Sequence, residues 1–239
     1  MNPLVFKNLS EDTLLIEWPD QINPQVSSEI SDLESALKST KSPGIIECFP
    51  AYRSLSITFD PEINNAADLI DLIQNIDLKT FDVEKKTWEL PVCYDPEVGK
   101  DLCQMAEAKN TNMEQIIQYH CRPTYHVHFF GFLPGFMYLG GLLKDLHHPR
   151  KSTPDRQIQS GSVAIGGSQT GIYPTSPGGW HVIGNCPVPL FDVTSNPPCF
   201  VEAGDKIIFQ PISLEQHKRI KKEIAKGIFE INSLLNGQN

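Results

Sequence analysis

The chain lacks the features that would assign it to a membrane or to nucleic acid. No apolar run approaches the roughly 20 residues that a membrane-spanning helix needs, and the N-terminus lacks the basic and apolar segments of a signal peptide. Positive charge is scarce: the chain has 20 Lys and Arg and 29 Asp and Glu, which gives a formal net charge of −9. Since phosphate binding requires clustered basic side chains, neither nucleic acid nor an anionic membrane is the expected main partner. We expect a cytoplasmic protein.

Several common catalytic and metal motifs are also missing. The six cysteines contain no C-x-x-C pair, which excludes a zinc knuckle and a dithiol redox motif, and we expect reduced thiols. There is no Gly-x-x-x-x-Gly-Lys-Ser/Thr string for a nucleotide loop and no Gly-x-Ser-x-Gly elbow for a serine nucleophile. Four histidines lie close together in the sequence, without a carboxylate at a companion spacing: His126, His128, His147 and His148. We therefore predict no metal site.

Glycine and proline, by contrast, are abundant, with 16 and 19 residues. They concentrate between Tyr125 and Trp180, where aromatic residues persist among them, unlike in a flexible linker. Glycine permits positive φ and proline fixes φ, so this segment specifies defined turns around apolar side chains. The turns lie at 131–136, 149–150, 161–167 and 177–180. We predict that they meet around a shared hollow that another polypeptide closes.

The first 86 residues alternate strand and helix signals. The strand patterns lie at 4–6, 14–18, 44–49 and 54–59, and the helical spacings at 26–37 and 66–76. Residues 50–53 mark a hairpin, and a further strand is predicted near 81–83. This order is that of a split β-α-β sandwich, so the fold class predicted is α+β, with a ferredoxin-like domain over 1–86.

A second domain is predicted over 87–239. Two short helices at 101–108 and 112–120, the second capped by Thr111 or Asn112, plug one end of it. The short strands and frequent turn residues that follow favour a closed or nearly closed β-barrel over a layered parallel sheet.

A C-terminal helix completes this domain. Ser213 and Gln216 form a capping box, and the helix is predicted to extend to about Leu235. Its apolar stripe consists of Ile220, Ile224, Ile228 and Ile231.

Candidate substrate-binding residues lie in or beside the turns. Glycine-rich turns offer backbone N–H groups to charged oxygens, and an arginine grips a carboxylate or phosphate through two parallel bonds. The candidates are Arg150, Gly161, Ser162, Gln169, Tyr173, Gly178, Gly179 and Trp180. Each also has an ordinary structural alternative: a surface ion pair for the arginine, packing in the core for Trp180, and turn or strand contacts for the others. No catalytic residue is assigned.

Aromatic residues near the first turn are candidates for a pocket or an interface. They are predicted to line it together with a proline, and packing in the core is the alternative. The four residues are Phe132, Pro134, Phe136 and Tyr138.

Uncommon strings in a fixed order give a more specific signal. They are Gly131-Phe132-x-Pro134-Gly135-Phe136, Pro149-Arg150, Gly161-Ser162-Val163, Gln169-Thr170-Gly171-Ile172-Tyr173-Pro174 and Pro177-Gly178-Gly179-Trp180. Together they resemble the signature of the family of the 5-oxoprolinase B subunit, which also takes in the kinase inhibitor KipI and allophanate hydrolase subunit 1. The resemblance covers essentially the whole chain.

The resemblance implies a ferredoxin-like N-terminal domain and a cyclophilin-like C-terminal barrel. It implies partners too, since the B subunit of 5-oxoprolinase works beside a homologous C subunit, with a separate A subunit. That complex opens the lactam of 5-oxoproline at the expense of ATP and gives L-glutamate. Binding of ATP to this chain is left open, and we expect the chain alone to be nearly inactive.

Two departures from the family pattern concern charge. Asp155 stands where an arginine is expected and Gln159 where a proline is expected, while Asn185 and Cys186 replace a basic residue and a threonine. If the usual cations hold an anion, the inversion at position 155 weakens the site unless Arg156 substitutes by a one-residue shift.

Two alternative functions stay open. One is a KipI-like inhibitor that docks on a sensor histidine kinase and blocks its autophosphorylation. The other is a subunit of an allophanate- or urea-related amidohydrolase.

Overall fold

The computed structural model describes residues 4–19, 24–40, 42–76 and 85–236. The chain divides between Lys85 and Lys86 into two compact units, and the sequence predicts a boundary near residue 86. Within the described ranges, no helix has the length and apolarity to cross a membrane.

The N-terminal unit is a four-stranded antiparallel sheet with two helices. Its elements are β1 (Val5–Asn8), β2 (Thr13–Glu17), α1 (Pro24–Thr40), β3 (Ile45–Pro50), β4 (Ser54–Phe59) and α2 (Ala66–Asn75). Alternate residues of β2 and β4 are buried, and they pack against the apolar stripes of α1 and α2. The predicted hairpin between β3 and β4 is confirmed, with the Ala51 N–H donating to the Ser54 carbonyl at 2.8 Å.

The order of this sheet is β1-β2-β4-β3. Because β4 is antiparallel to both neighbours, β2 and β3 are parallel, and α1 connects them around β4 as in a split β-α-β unit. The strand predicted near 81–83 lies outside the described residues, and β1 occupies the other side of β2. The ferredoxin-like assignment therefore stays a prediction.

The C-terminal unit is a closed barrel. Its strands are β5 (Thr87–Cys93), β6 (Tyr125–Phe130), β7 (Met137–Gly140), β8 (Asp155–Ile158), β9 (Ser162–Gly166), β10 (Gln169–Tyr173), β11 (Ser176–Gly178), β12 (His181–Asn185) and β13 (Lys206–Ile212). Seven of them close in the order β10-β7-β6-β13-β5-β12-β9, whereas β8 and β11 form a separate two-stranded sheet. The predicted mixed class and barrel are confirmed.

Helices accompany the barrel. They are α3 (Leu102–Ala108), α4 (Met113–Cys121) and α5 (Leu214–Ala225), with 3₁₀ helices at Lys144–Leu146 and Ile231–Leu234. Leu102, Met105 and Ile116 belong to the same buried cluster as the barrel interior, as the plugging role predicts. Asn112 caps α4 by accepting from the Gln115 N–H at 2.8 Å, which decides between the two predicted caps.

The predicted extent of the C-terminal helix is wrong. The capping box of Ser213 and Gln216 is confirmed, but α5 ends at Ala225. Gly227 has φ +68 and donates to the Ile224 carbonyl, while the next N–H donates to the Glu223 carbonyl. This is a Schellman ending, and it interrupts the isoleucine stripe that suggested a longer helix.

Candidate functional site

Alternation along the barrel strands creates a second buried cluster beside the barrel interior. In β9, Val163 and Ile165 point into the barrel core, while Ala164 between them belongs to the other cluster. Tyr173 of β10 lies in that second cluster as well. We call the rings of this second cluster, together with the exposed ring that touches it, the aromatic cluster: Phe132, Phe136, Tyr138, Tyr173 and Trp180.

Phe136 is the centre of the aromatic cluster. Its ring meets those of Tyr138, Tyr173 and Trp180 edge-on, with centroid distances of 4.9, 5.1 and 5.6 Å. Edge-to-face pairs at these distances are favourable beyond the area that they bury. Phe136 and Trp180 are only 1% and 3% exposed, so both have the packing role that was the alternative to a pocket lining.

Two glycines are required by the close approach of these rings. A Cβ at Gly166 would lie 2.2 Å from Trp180 Cδ1, and one at Gly178 would lie 2.7 Å from the Tyr173 ring. Gly179 differs, because its nearest neighbour would be 3.8 Å away. Gly178 is therefore fixed by packing, whereas Gly179 contributes its carbonyl, which accepts from the Lys151 N–H at 2.7 Å.

Phe132 occupies a strained turn at the edge of the cluster. Its φ is +66, and the Leu133 N–H donates across it to the Gly131 carbonyl at 2.8 Å. This is the γ-turn with positive φ, which is rare and unfavourable for a side chain of this size. The turn leaves Phe132 57% exposed while its ring still touches Phe136 and Tyr173, so an aromatic surface is held towards solvent.

A small hollow of about 90 Å³ lies next to Tyr173. Its walls come from two of the predicted turns, 131–136 and 161–167, from the end of β10 and from the segment after β12, and they include Pro134, Gly135, Ser160, Gly161 and Phe191. A Cβ at Gly135 would lie 2.4 Å from Phe191 Cβ, so glycine lets these walls meet. The hollow is smaller than the roughly 300 Å³ at which ligand pockets usually begin.

Arg150 connects the turn at 149–150 to the aromatic cluster. Its guanidinium carbon lies 5.6 Å from the centroid of the Trp180 ring, a cation–π contact. Among the described residues, no carboxylate forms an ion pair with it. The surface ion pair that was the alternative for Arg150 does not form with these described carboxylates. All four predicted turns border the aromatic cluster. The turns at 149–150 and 177–180 do not line the hollow, so the hollow is not shared by all four turns as predicted.

Two of the predicted substrate-binding residues, Ser162 and Gln169, do not line the hollow. Ser162 is 3% exposed and is the first residue of β9, where its N–H donates to the Gln159 carbonyl and closes the preceding turn. Gln169 pairs with Gly166 at the far end of β10, four residues and about 13 Å along the strand from Tyr173. Gln169 therefore lies away from the hollow.

A buried histidine inside the barrel has no counterpart in the sequence predictions. The Thr170 hydroxyl donates to the Ala164 carbonyl at 3.0 Å, so its oxygen accepts from His120 Nε2 at 2.9 Å. Nδ1 then accepts from the Tyr94 hydroxyl at 2.7 Å, and the ring stacks on Phe209. Burial lowers the pKa of His120 to about 3, so it stays neutral.

The four histidines considered for metal binding lie in β6 and directly after the first 3₁₀ helix. Across the described part of the chain, no three His, Cys, Asp or Glu side chains are grouped so as to hold a metal ion. His128 lies against Gly140, where a Cβ would be 2.0 Å from its Nε2. Burial, with a smaller contribution from His126, lowers the pKa of His128 to about 4.

Acid should weaken the barrel through these two neutral histidines. An unfolded histidine titrates near 6.5, so stability is complete above that pH and falls as pH drops towards the folded pKa values. Each histidine should lower the free energy of unfolding by about 2 kcal/mol between pH 7.5 and pH 5. Urea unfolding at pH 7.5, 6 and 5 measures this loss. In His120→Gln, unfolding in acid should take up about one proton fewer, so the free energy of unfolding should depend less steeply on pH. An unchanged slope would contradict the assignment.

Comparison with known proteins identifies the family. Residues 4–201 match the carboxyltransferase domain, subdomain C and D. The 5-oxoprolinase B subunit from Bacillus subtilis (strain 168) is 35% identical over 232 residues, covering 91% of this chain and 96% of that protein. The chain belongs to the family of the 5-oxoprolinase B subunit. The resemblance predicted from the turn motifs is thereby confirmed.

Further relatives agree with this family. The 5-oxoprolinase B subunit from Haemophilus influenzae is 37% identical over 207 residues, covering 84% of this chain and 94% of that protein. The crystal structure of TTHA0988 matches with a TM-score of 0.78 and 28% identity, over 85% of this chain. This chain spans 40% of the TTHA0988 chain, so that protein contains much additional polypeptide.

The departure from the family pattern at position 155 is explained by an ion-pair network. Lys151 Nζ lies 2.8 Å from Asp155 and 2.7 Å from Asp101, and Lys100 Nζ lies 3.0 Å from Asp155. Burial raises the pKa of Asp155, but the hydrogen bonds from the two lysines outweigh it and the pKa is lowered. Asp155 thus neutralises Lys100 and Lys151. Alternation along β8 directs Arg156 to the opposite face, which argues against a one-residue substitution.

The departures at 185 and 186 are buried behind the hollow. Asn185 donates from Nδ2 to the Ser160 carbonyl at 3.0 Å, and the Cys186 N–H donates to the Gly161 carbonyl at 2.7 Å. Burial raises the pKa of the Cys186 thiol to about 12, so it is not a thiolate nucleophile. Neutral hydrogen bonds thus stand at the position where the resemblance implies a cation.

Proposed function

We propose that this chain is the B subunit of an ATP-dependent 5-oxoprolinase, which hydrolyses 5-oxo-L-proline to L-glutamate in the cytoplasm together with a homologous C subunit plus an A subunit. Membership of the B-subunit family supports the reaction. The observation that carries the proposal is the meeting of four turns around the aromatic cluster, with Arg150 over Trp180 and the hollow alongside. These residues form one wall of a cleft.

Arg150 is the residue we assign to the substrate carboxylate. The guanidinium is fixed against Trp180 and forms no ion pair with the described carboxylates. A planar guanidinium can hold a carboxylate through two parallel hydrogen bonds, which orients the lactam ring. Lys151, one residue further on, is already neutralised by Asp101 and Asp155 and is less suited to this task.

A second polypeptide is needed because the wall is incomplete. The hollow of about 90 Å³ is open and smaller than ordinary ligand sites, and Phe132 is exposed beside it. TTHA0988 extends well beyond the part that resembles this chain, which is consistent with a further domain working next to this fold.

ATP does not fit the residues around the hollow. The chain has no P-loop, and a nucleotide needs several times the volume of the hollow. Phosphorylation of the lactam oxygen would supply the activation that a stabilised amide requires. We assign no step of that chemistry to this chain and propose that the nucleotide binds elsewhere in the complex.

Omission experiments test the proposal. The purified chain alone should show almost no ATP-dependent release of L-glutamate from 5-oxoproline, and neither should the A and C subunits without it. The mixture of the three should be active. Equal turnover with and without this chain would refute the assignment, and so would full activity of the chain alone.

Substitution of Arg150 tests its role in that mixture. Arg150→Gln should lower kcat/KM for 5-oxoproline by about 10- to 100-fold, the effect of losing a charged hydrogen bond. Arg150→Lys should retain part of the activity because it keeps the charge but not the planar fork. Arg156→Gln is the matched control, since Arg156 faces away, and it should be nearly neutral. Equal effects at 150 and 156 would contradict the assignment.

The two alternative functions are not favoured by a contact among the described residues. Inhibition of a histidine kinase and hydrolysis of allophanate both stay predictions. Adding the chain to a kinase autophosphorylation assay, and supplying allophanate to the reconstituted complex, would separate them from the proposed reaction.

A further inference from the structure

The Ser160–Gly161 wall of the hollow is held from behind by two buried polar side chains. Asn185 of β12 donates from Nδ2 to the Ser160 carbonyl at 3.0 Å, and its Oδ1 lies 2.8 Å from Nε2 of His217. Asn185 and His217 are 4% and 3% exposed. A side chain of α5 is thus connected to the hollow through one intermediate residue.

The direction of each hydrogen bond in this chain is determined. A backbone carbonyl only accepts, so the amide nitrogen of Asn185 must face Ser160 and the amide oxygen must face His217. His217 therefore carries its proton on Nε2 and donates. Its other ring nitrogen, Nδ1, is buried without a hydrogen-bond partner in the described structure, so the bond to Asn185 is what orients the ring.

Gly161 couples the wall of the hollow closely to the end of β12. It has φ +81, its N–H donates to the Tyr173 carbonyl at 2.8 Å, and its carbonyl accepts from the Cys186 N–H at 2.7 Å. A Cβ there would lie 2.2 Å from the Cys186 oxygen, so the turn is pressed against the end of β12. A small displacement of Asn185 would therefore move the wall of the hollow.

We propose that His217 is a positioning residue, which acts through Asn185 to fix the Ser160–Gly161 wall and with it the substrate cleft. The part that concerns substrate rests on the proposed function. His217 touches neither the hollow nor Arg150, and its sole named task is to hold the orientation of the Asn185 amide.

Hydrogen exchange of the isolated full chain tests the positioning without any activity. His217→Gln keeps a nitrogen donor at the place of Nε2, whereas His217→Met has a similar length and no donor. In the Met variant the Gly161 and Cys186 amides should exchange about tenfold faster, the effect of losing one buried hydrogen bond. In the Gln variant they should match the wild type. Amides in the middle of β9 should not change in either variant.

Kinetics of the reconstituted complex test the consequence for substrate. His217→Met should raise KM for 5-oxoproline by about tenfold with little change in kcat, and His217→Gln should restore it. A variant that merely unfolds would lower the active fraction, and therefore kcat, at constant KM. That result, or equal behaviour of Met and Gln, would overturn the proposal.

A second variant tests the proposal if the His217→Met chain folds poorly. Asn185→Asp keeps an acceptor for His217 but cannot donate to the Ser160 carbonyl, so the same two amides should exchange faster. Unchanged exchange in this variant would also overturn the proposal. If the wild-type complex has no 5-oxoprolinase activity, the proposed function fails, while the exchange measurements still decide the role of His217.

Discussion

Trp180→Ala should lower the free energy of unfolding of the barrel unit by about 3–5 kcal/mol, the usual cost of removing a buried tryptophan. The ring is 3% exposed and lies edge-on to Phe136 and Tyr173. Gly166 leaves no Cβ to fill the space, so the cavity would persist. Urea unfolding followed by far-ultraviolet circular dichroism measures the loss.

Trp180→Phe is the control for this substitution. It keeps an aromatic edge for Phe136, so its loss in free energy of unfolding should be less than half of the loss in the alanine variant. A change of less than about 1 kcal/mol in Trp180→Ala, which is the range of ordinary surface substitutions, would mean that the ring does not organise the cluster.

Gly161→Ala should also be severe, whereas Gly167→Ala should be mild. Both glycines have positive φ, +81 and +65, so each alanine costs about 1 kcal/mol in backbone strain. Only at Gly161 does the new Cβ meet a backbone atom, the Cys186 oxygen at 2.2 Å, which cannot rotate away. We expect a total loss of about 2–4 kcal/mol at Gly161 and about 1 kcal/mol at Gly167.

The comparison of the two alanine variants isolates the steric term. Chemical denaturation of both variants under the same conditions measures their difference directly. Equal losses at the two positions would show that the Gly161 turn has room to relax, and the close contact between this wall and β12 would then be wrong.

Much of the site was predictable because its turns depend on local chemistry. Glycine and proline at 131–136, 149–150, 161–167 and 177–180 specify backbone shapes from neighbouring residues alone. The aromatic residues between the turns supply the apolar cluster on which the turns pack. The barrel followed from short strands with frequent turns, which a layered parallel sheet does not produce.

Long-range pairs were not predictable from the sequence. Asp155 pairs with Lys100, which is distant in the sequence, and Asn185 meets His217 from 32 residues away. Gln169 and Tyr173 share a strand, but sequence proximity does not place them at the same end of it. The end of α5 was predicted about ten residues too late, although Gly227 is a usual helix terminator, because the isoleucine spacing was followed past it.

Hydrogen exchange of this chain, free and in the complex with the A and C subunits, tests most directly whether a second polypeptide completes the cleft. We predict slower exchange at 131–136 and at 189–193 in the complex, on both sides of the hollow, with α5 unchanged. Slower exchange confined to α5, or no change near the hollow, would contradict the account.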